Sequence, residues 1–545
     1  VTPTTLSYIA LAAAVGPFFG SILVATAKEP QRQLRLGLAV AVTSLVALGV
    51  FILAGPVAGG QTVTVSTYQV SPMLAIEYGV DRLGLLFAVT AASLWVLTTL
   101  YSHGYLADGR HQRRYFTFLT FALGATLGVA WSANLFTLYA FYELLTLATY
   151  PLVVYETGPA AARAGRTYII YSFVGASLVL LGITGTLMLG GSLDFVPGGL
   201  LAGIPVTPGV YITALLYLAG FGVKAAIMPL HGWLPQAMAA PTPVSALLHA
   251  VAVVKSGIFG ILRVMFFVFG RDLLARSGIN MIIMAVAAMT ILLASLSALR
   301  QDVLKRRLAY STISQLSYIT FGVASLTAAG MTGGLLHLFM HALMKITLFF
   351  CAGAIIAQTG RTRISQLDGI GRKMPWTMGA FAVAALGMVG IAPVAGFVSK
   401  WYLLQGSAQA TGWLGIAILS TSSLLNAAYF FPILTRAFFK PWREEDAPAD
   451  EEGAHPSHGS HGVGAHGAAA GAHGAAAGAH GAAAGAHGAA AGHGAGAVSS
   501  AAAGGRWEAP ATMLVPIVLL AVACLVVGFW PQLPLDLVVR LVGEL

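Results

Sequence analysis

The chain has 545 residues, of which 57% are hydrophobic and only 9% charged. Its mean hydropathy is +0.81, whereas an ordinary soluble domain carries about 25% charged residues. This excludes a soluble globular enzyme and an extended disordered chain, because a soluble fold of this length needs far more polar surface to cover its core. The formal net charge of +10 falls mostly in short loops between apolar segments. It therefore reads as topogenic charge, and with no basic stripe interleaved with aromatics nucleic acid is not an expected partner.

Apolar stretches recur along almost the whole chain and predict an all-α polytopic membrane protein of about fourteen spans. The expected limits are 5–27, 35–57, 81–102, 114–131, 134–155, 166–190, 209–229, 243–268, 278–299, 307–327, 331–357, 376–404, 411–438 and 511–538. The first run lacks a basic flank and is expected to be a retained span. Arginine and lysine gather in alternate loops. Lys28, Arg32 and Arg35 follow span 1; Arg110, Arg113 and Arg114 follow span 3; Arg163 and Arg166 follow span 5. The pattern continues with Arg300, Lys305, Arg306 and Arg307, then Arg361, Arg363, Arg372 and Lys373, then Arg436, Lys440 and Arg443, while the opposite loops hold little beyond Arg82, Arg271 and Arg276. The positive-inside rule then places both termini outside the cell's inner (plasma) membrane.

One stretch, residues 441–505, is not a span. It opens with Glu444, Glu445, Asp446, Asp450, Glu451 and Glu452, then repeats GAHGAAA so that His466, His473, His480 and His487 recur every seven residues. It reads as a flexible low-complexity linker. The eight histidines within 455–493 leave metal binding open as a second reading, although the glycines argue against a regular helix. Elsewhere Cys351 and Cys524 lie far apart in apolar segments, with no CxxC, no dinucleotide-binding glycine motif and no P-loop. No cofactor or metal is expected, and any redox or ATP chemistry belongs to another chain.

Ionisable residues inside the spans are the informative ones, because each costs at least about 2.5–3.5 kcal/mol to insert. Glu143, near the middle of span 5, reads as a proton-relay or charge-tuning group. Lys224 follows Gly220 and Gly222 and precedes Pro229, the signature of a broken helix lining a polar cavity. Burial favours a neutral amine and a nearby carboxylate the charged one, so changing a Glu143–Lys224 separation would switch proton affinity. In span 8, His249 precedes Lys255 by six residues, which in a regular helix puts them about two turns apart on neighbouring faces. His249 suits proton transfer near neutrality, but it equally suits a hydrogen-bonded core position. His337, His341 and Lys345 are spaced i, i+4, i+8 and share one face of span 11. No third metal ligand accompanies them, so a polar wire is the expected role. Pro393 between Gly390 and Gly396 marks a second broken helix, followed by Lys400. Two interrupted helices, each with a lysine, point to a duplicated architecture.

Five stretches together resemble a known family: FYELLTLATYPLV, GFGVKAAIMPLHGWLPQAMAAPTPVSALLHAVAVVKSG, LKRRLAYSTISQLSYI, HLFMHALMKITLFFCAG and GIAPVAGFVSKWYLL. They are similar to the antiporter-like proton-translocating subunits of respiratory complex I, of Mrp-type cation/proton antiporters and of membrane-bound hydrogenases, over roughly residues 80–440. The resemblance implies two inverted five-helix repeats, spans 4–8 and 9–13, with helices 7 and 12 broken. The expected division is 1–110 for helices 1–3, 111–268 for the first repeat, 269–440 for the second, 441–505 for the His-rich loop and 506–545 for helix 14. It further implies a relay in which Glu143 tunes Lys224, Lys255 and His249 lie at the centre and Lys400 closes the path. Lysine at 400 fits the D-type subunits of Mrp antiporters and two of the complex I subunits, and the FVSKWYLL wording looks closest to the D type. The stretch after residue 505 lacks the long lateral helix of the largest complex I subunit. The expected partners are other membrane subunits of a hetero-oligomeric antiporter or redox complex, with protons and Na⁺ or K⁺ as cargo. The His-rich insertion departs from the family pattern and inherits no role.

Overall fold

A computed structural model describes residues 2–71, 74–107, 109, 111–442 and 507–545. The acidic and His-rich stretch at 443–506, together with Arg110, lies outside the described residues. The chain begins with α1 (Pro3–Thr26) and α2 (Arg32–Ala58), then an antiparallel hairpin of β1 (Val63–Ser71) and β2 (Leu74–Val80). Next come α3 (Arg82–Tyr105), α4 (Gln112–Ala130), α5 (Leu135–Val153), α6 (Pro159–Gly190), α7 (Pro208–Lys224) and the short α8 (Trp233–Gln236). Then follow α9 (Thr242–Ala250), α10 (Val253–Arg263), α11 (Arg271–Ser277), α12 (Ile279–Leu299), α13 (Leu304–Ala324) and α14 (Ala328–Thr359). The last group is α15 (Ile370–Lys373), α16 (Pro375–Val389), α17 (Ala395–Thr411), α18 (Trp413–Phe439), α19 (Ala511–Phe529) and α20 (Gln532–Glu544).

Helix dominates because lipid offers no partner to backbone N–H and C=O groups, which must bond within the segment. All fourteen expected segments are occupied by helix, whole or interrupted. Among the described residues, nine helical stretches are long and apolar enough to cross a membrane by length and composition. Large apolar side chains such as Phe19, Leu45, Met188 and Leu424 stand exposed on the outer helices, as a lipid-facing surface requires. The stretch Thr242–Phe269 is buried throughout, and α14 nearly so. These two form the centre around which the bundle is built.

The two interruptions fall where glycine and proline mark them. α7 ends at Lys224 and the chain resumes helix at Trp233; α16 ends at Val389 and resumes at Ala395. Met228–Pro229 and Ala392–Pro393 are cis. Backbone groups freed by the first break find side-chain partners: the Trp233 indole donates to Val223 O at 2.7 Å, and Met228 N donates to Thr290 Oγ1 at 3.2 Å. Small residues let neighbours close in. A methyl on Gly175 of α6 would stand 2.9 Å from the Gly220 carbonyl of α7.

Several expected boundaries need correction. Span 8 is not one regular helix: Val251 and Ala252 leave helical geometry between α9 and α10, and a π-turn runs from Val264 to Phe269. The angular relation of His249 to Lys255 read from an unbroken helix therefore does not apply. Span 14 ends at Phe529, because Trp530 leaves helical geometry before Pro531 and α20 begins separately. Arg32, Arg35, Arg113, Arg114, Lys305, Arg306 and Arg307 lie within the first four residues of helices, and Arg163 and Arg166 farther into α6, not in loops. Arg35 is fully buried, donating to Lys28 O, Glu29 O and Gln112 Oε1.

Opposite these basic ends, Asp81 caps α3 by accepting from Gly84 N at 2.8 Å and pairs in two-pronged fashion with Arg263 at the end of α10. The guanidinium lies 4.8–5.3 Å from the rings of Phe267, Phe259 and Phe195. Arg263 is 2% exposed and Asp81 26%. Arg263→Met strands the carboxylate and is expected to cost about 3 kcal/mol, the lower end for breaking a buried pair because Asp81 retains some water. Adding Asp81→Asn, which keeps the cap, should recover part of that loss. The unfolding temperature in detergent reads both, and equal losses would remove the pair as an anchor.

Candidate functional site

The ionisable side chains inside the bundle sort into three groups, and interrupted helices position the outer two. In the first, Lys224 is the last residue of α7, so the break places its ammonium in the protein interior. Its Nζ donates to the Tyr142 carbonyl of α5 at 2.5 Å, lies 3.3 Å from the Tyr142 ring centroid and stands 3.5 Å from Glu143 Oε1. Glu143 is one residue beyond Tyr142 on α5, and 19% exposed where Lys224 is 1%. Carbonyl, aromatic face and carboxylate are all negative ends, and all three favour an ammonium. Movement of α5 against α7 would change them together.

The third group mirrors this arrangement at the other break. Lys400 on α17 turns back to the end of α16, donating to Met388 O at 2.6 Å and Val389 O at 3.2 Å, carbonyls that the break leaves without helical partners. Ser423 Oγ lies at 3.4 Å and the Tyr318 ring at 5.1 Å. Asn426 Nδ2 donates to the same Met388 carbonyl at 3.2 Å. Among the described residues no carboxylate pairs with Lys400, so its cradle is a helix C-terminus, where the macrodipole favours a cation.

Between them lies the central group. Lys255 on α10 donates to Leu338 O of α14 at 2.6 Å, and Lys345 on α14 donates to Ser311 Oγ of α13 at 2.5 Å. His341 interacts electrostatically with Lys255, Lys345, His337 and His249, and His249 with Lys345 and Lys305. Among the described residues neither ring nitrogen of His249 or of His341 has a hydrogen-bond partner. Leaving such buried polar atoms unsatisfied costs about 1–3 kcal/mol each. Water or a moving proton carrier is their natural complement.

His337 is held differently, with a partner at each ring nitrogen. Nε2 is 2.9 Å from Gln315 Oε1, and Nδ1 is 2.9 Å from Ser399 Oγ. With Gln315 so placed, Nε2–H donates to the amide oxygen, and a neutral ring accepts the Ser399 proton at Nδ1. A protonated ring instead donates to Ser399, whose proton then turns to Gly396 O at 3.2 Å. Both states keep their hydrogen bonds. The ring is 5.8 Å from that of His341, and Ser399 adjoins Lys400, so His337 links the central group to the third.

His337, His341 and Lys345 all lie on α14, and Lys224 and Lys400 lie beside the two breaks. Sequence reasoning missed Tyr142, Gln315, Ser399, Ser311, Tyr318 and Lys305. Lys305 donates to Ala240 O at 2.7 Å just before α9. Cys351 and Cys524 are both buried and unpaired. Among the described residues no group of three or more His, Cys, Asp or Glu gathers to hold a metal ion.

Comparison with known proteins gives the family and the fold. Residues 132–426 match the family described as NADH:quinone oxidoreductase/Mrp antiporter, TM. NADH-quinone oxidoreductase subunit N of Desulforudis audaxviator is 37% identical over 383 residues, 70% of this chain and 76% of that protein. Subunit L of the corresponding Mycobacterium tuberculosis enzyme is 32% identical over 395 residues, again 70% of this chain but only 60% of that longer protein. Among solved structures, a chain of the Mrp complex from Dietzia sp. DQ12-45-1b superimposes with a TM-score of 0.82 at 23% identity, covering 99% of this chain and 98% of that one, which is a likeness of fold. The chain belongs to the polytopic membrane family that NADH:quinone oxidoreductases and Mrp antiporters share.

Proposed function

We propose that this chain is the proton-translocating subunit of a multisubunit Mrp-type Na⁺(K⁺)/H⁺ antiporter, spanning the plasma membrane fourteen times with both termini outside. The observation that carries the reading is the buried series itself: Glu143 with Lys224, then Lys255, His249, His341 and Lys345, then His337, and finally Lys400. The retention of so many ionisable groups away from lipid is costly unless they conduct. Protons enter beside Glu143 and Lys224, cross the central group with water completing the gaps, and leave at Lys400. The division into 1–110, 111–268, 269–440, 441–505 and 506–545 separates peripheral helices, two conducting repeats, the His-rich insertion and a closing helix. Proton flow is coupled to Na⁺ or K⁺ export at a neighbouring subunit or interface, and this chain itself takes no cofactor.

A second reading has its own support, since the relative at 37% identity is a subunit of a quinone oxidoreductase. There the same residues would form one pump module of a redox complex, and only the energy source would differ. Identifying the chains that copurify in mild detergent by mass spectrometry separates the two. Small hydrophobic subunits without an iron–sulfur or flavin protein are the expected result. Iron–sulfur or flavin chains in constant proportion would replace the antiporter with the redox reading.

A further inference from the structure

Helix α16 carries a charge of opposite sign at each end, and only one of the two lies in the proton path. Its C-terminal carbonyls, Met388 O and Val389 O, hold Lys400. Its N-terminus has no side-chain cap of its own, since Met374 forms none. Instead Glu508 supplies the cap from the far side of the 443–506 stretch. Oε1 accepts from Trp376 N at 2.6 Å and Thr377 N at 3.2 Å, and Oε2 accepts the Thr377 hydroxyl at 2.8 Å. The carboxylate therefore satisfies two orphan amides and the positive end of the same helix dipole whose negative end holds the Lys400 ammonium.

The surroundings make this a fastening and not a chance contact. Trp507 N donates to Lys373 O at 2.9 Å. The Trp507 ring meets Trp442 at 5.5 Å, and the Arg361 guanidinium lies 3.8 Å over Trp442. α19, which starts just after Glu508, runs back along α16 to the break, where Gly528 sits so close that a methyl would overlap Pro393 O and stand 2.7 Å from Ala395 N. The 15-residue α16, about 22 Å long, is thus gripped at its start by Glu508 and at its break by Gly528.

We propose that Glu508 is a positioning residue for Lys400: it fixes α16 so that Met388 O and Val389 O stay aimed at the ammonium. The proposal rests on the relay reading of Lys400. The test uses the full purified complex in lipid vesicles, with proton-coupled flux and amide hydrogen exchange measured on the same preparations. Glu508→Ala should raise exchange across residues 386–397 about tenfold and slow flux about tenfold. Deleting 446–503 with Trp442 and Trp507 retained should leave both at wild-type values, because the grip lies outside the deleted stretch. Unchanged exchange in Glu508→Ala overturns the proposal. So does raised exchange with wild-type flux where Lys400→Ala abolishes it, and so does a deletion that slows flux as much as Glu508→Ala. If Lys400→Ala itself conducts at the wild-type rate, the relay reading of Lys400 falls and this inference with it, whereas a dead Lys400→Ala beside unchanged exchange removes the inference alone.

Discussion

Replacing Lys224 by alanine is expected to abolish proton-coupled transport, by at least about a hundredfold, while the complex still assembles. The reason is local. The side chain is 1% exposed, and its ammonium answers the Tyr142 carbonyl, the Tyr142 ring face and Glu143 Oε1 at once. Alanine removes the ammonium but leaves α7 ending where it does, since the break follows from Gly220, Gly222 and Pro229. Arginine should fail as well, because it keeps the charge but does not release a proton near neutrality. Glu143→Ala leaves the lysine without its carboxylate neighbour and should lose transport to a similar degree. Flux in vesicles and subunit content on a native gel check the two halves of the expectation. Transport within a few-fold of wild type in Lys224→Ala would mean that protons travel elsewhere.

The second large effect is expected at a residue with no chemistry of its own. Gly257 lies two positions beyond Lys255, and its backbone rests directly on the end of α7. A methyl there would overlap the Ala225 nitrogen and stand 2.8 Å from both the Lys224 carbonyl carbon and Phe221 O. All three are backbone atoms, so no side chain can swing aside. Gly257→Ala must push α10 and α7 apart, which costs about 1–3 kcal/mol as overpacking and shifts Lys224 relative to Tyr142 and Glu143. A displacement near 1 Å is enough to lower flux about a hundredfold. Gly37→Ala on α2, where nothing lies within 4 Å of the added methyl, is the control and should be silent. Wild-type flux in Gly257→Ala would show that the seating of α10 on α7 does not set the site.

How much of this could be read from the residues follows from which features are local. Lys224 and Lys400 were legible because the glycine and proline that break a helix lie within a few positions of each lysine. His337, His341 and Lys345 were legible because their spacing of four matches the helical repeat. Gln315, Ser399 and Tyr142 carried no such mark: each matters only through a neighbour on another helix, His337 or Lys224. The interruption at Val251–Ala252 lies in the fully buried centre and has no proline or glycine between His249 and Lys255, so periodicity ran through it. The hairpin Val63–Val80 carries its own strand signal in VTVSTYQV, rich in β-branched residues and outside the apolar spans. At the other end, Pro531 separates α20 from α19, and Pro534 lies within the first turn of α20. Arginines at helix starts read as loop charges because hydropathy places a helix boundary only to within a few residues.

The central claim is that the two broken helices are stations of one path, joined through His341 and His337. Proton flux through the intact complex in vesicles should therefore be compared for Lys224→Ala, Lys400→Ala and the double variant. A path in series is expected to lose flux fully in either single variant, with the double no worse. If each single variant retained about half the flux and only the double lost it, the two halves would conduct side by side, and the relay through His341 and His337 would be contradicted.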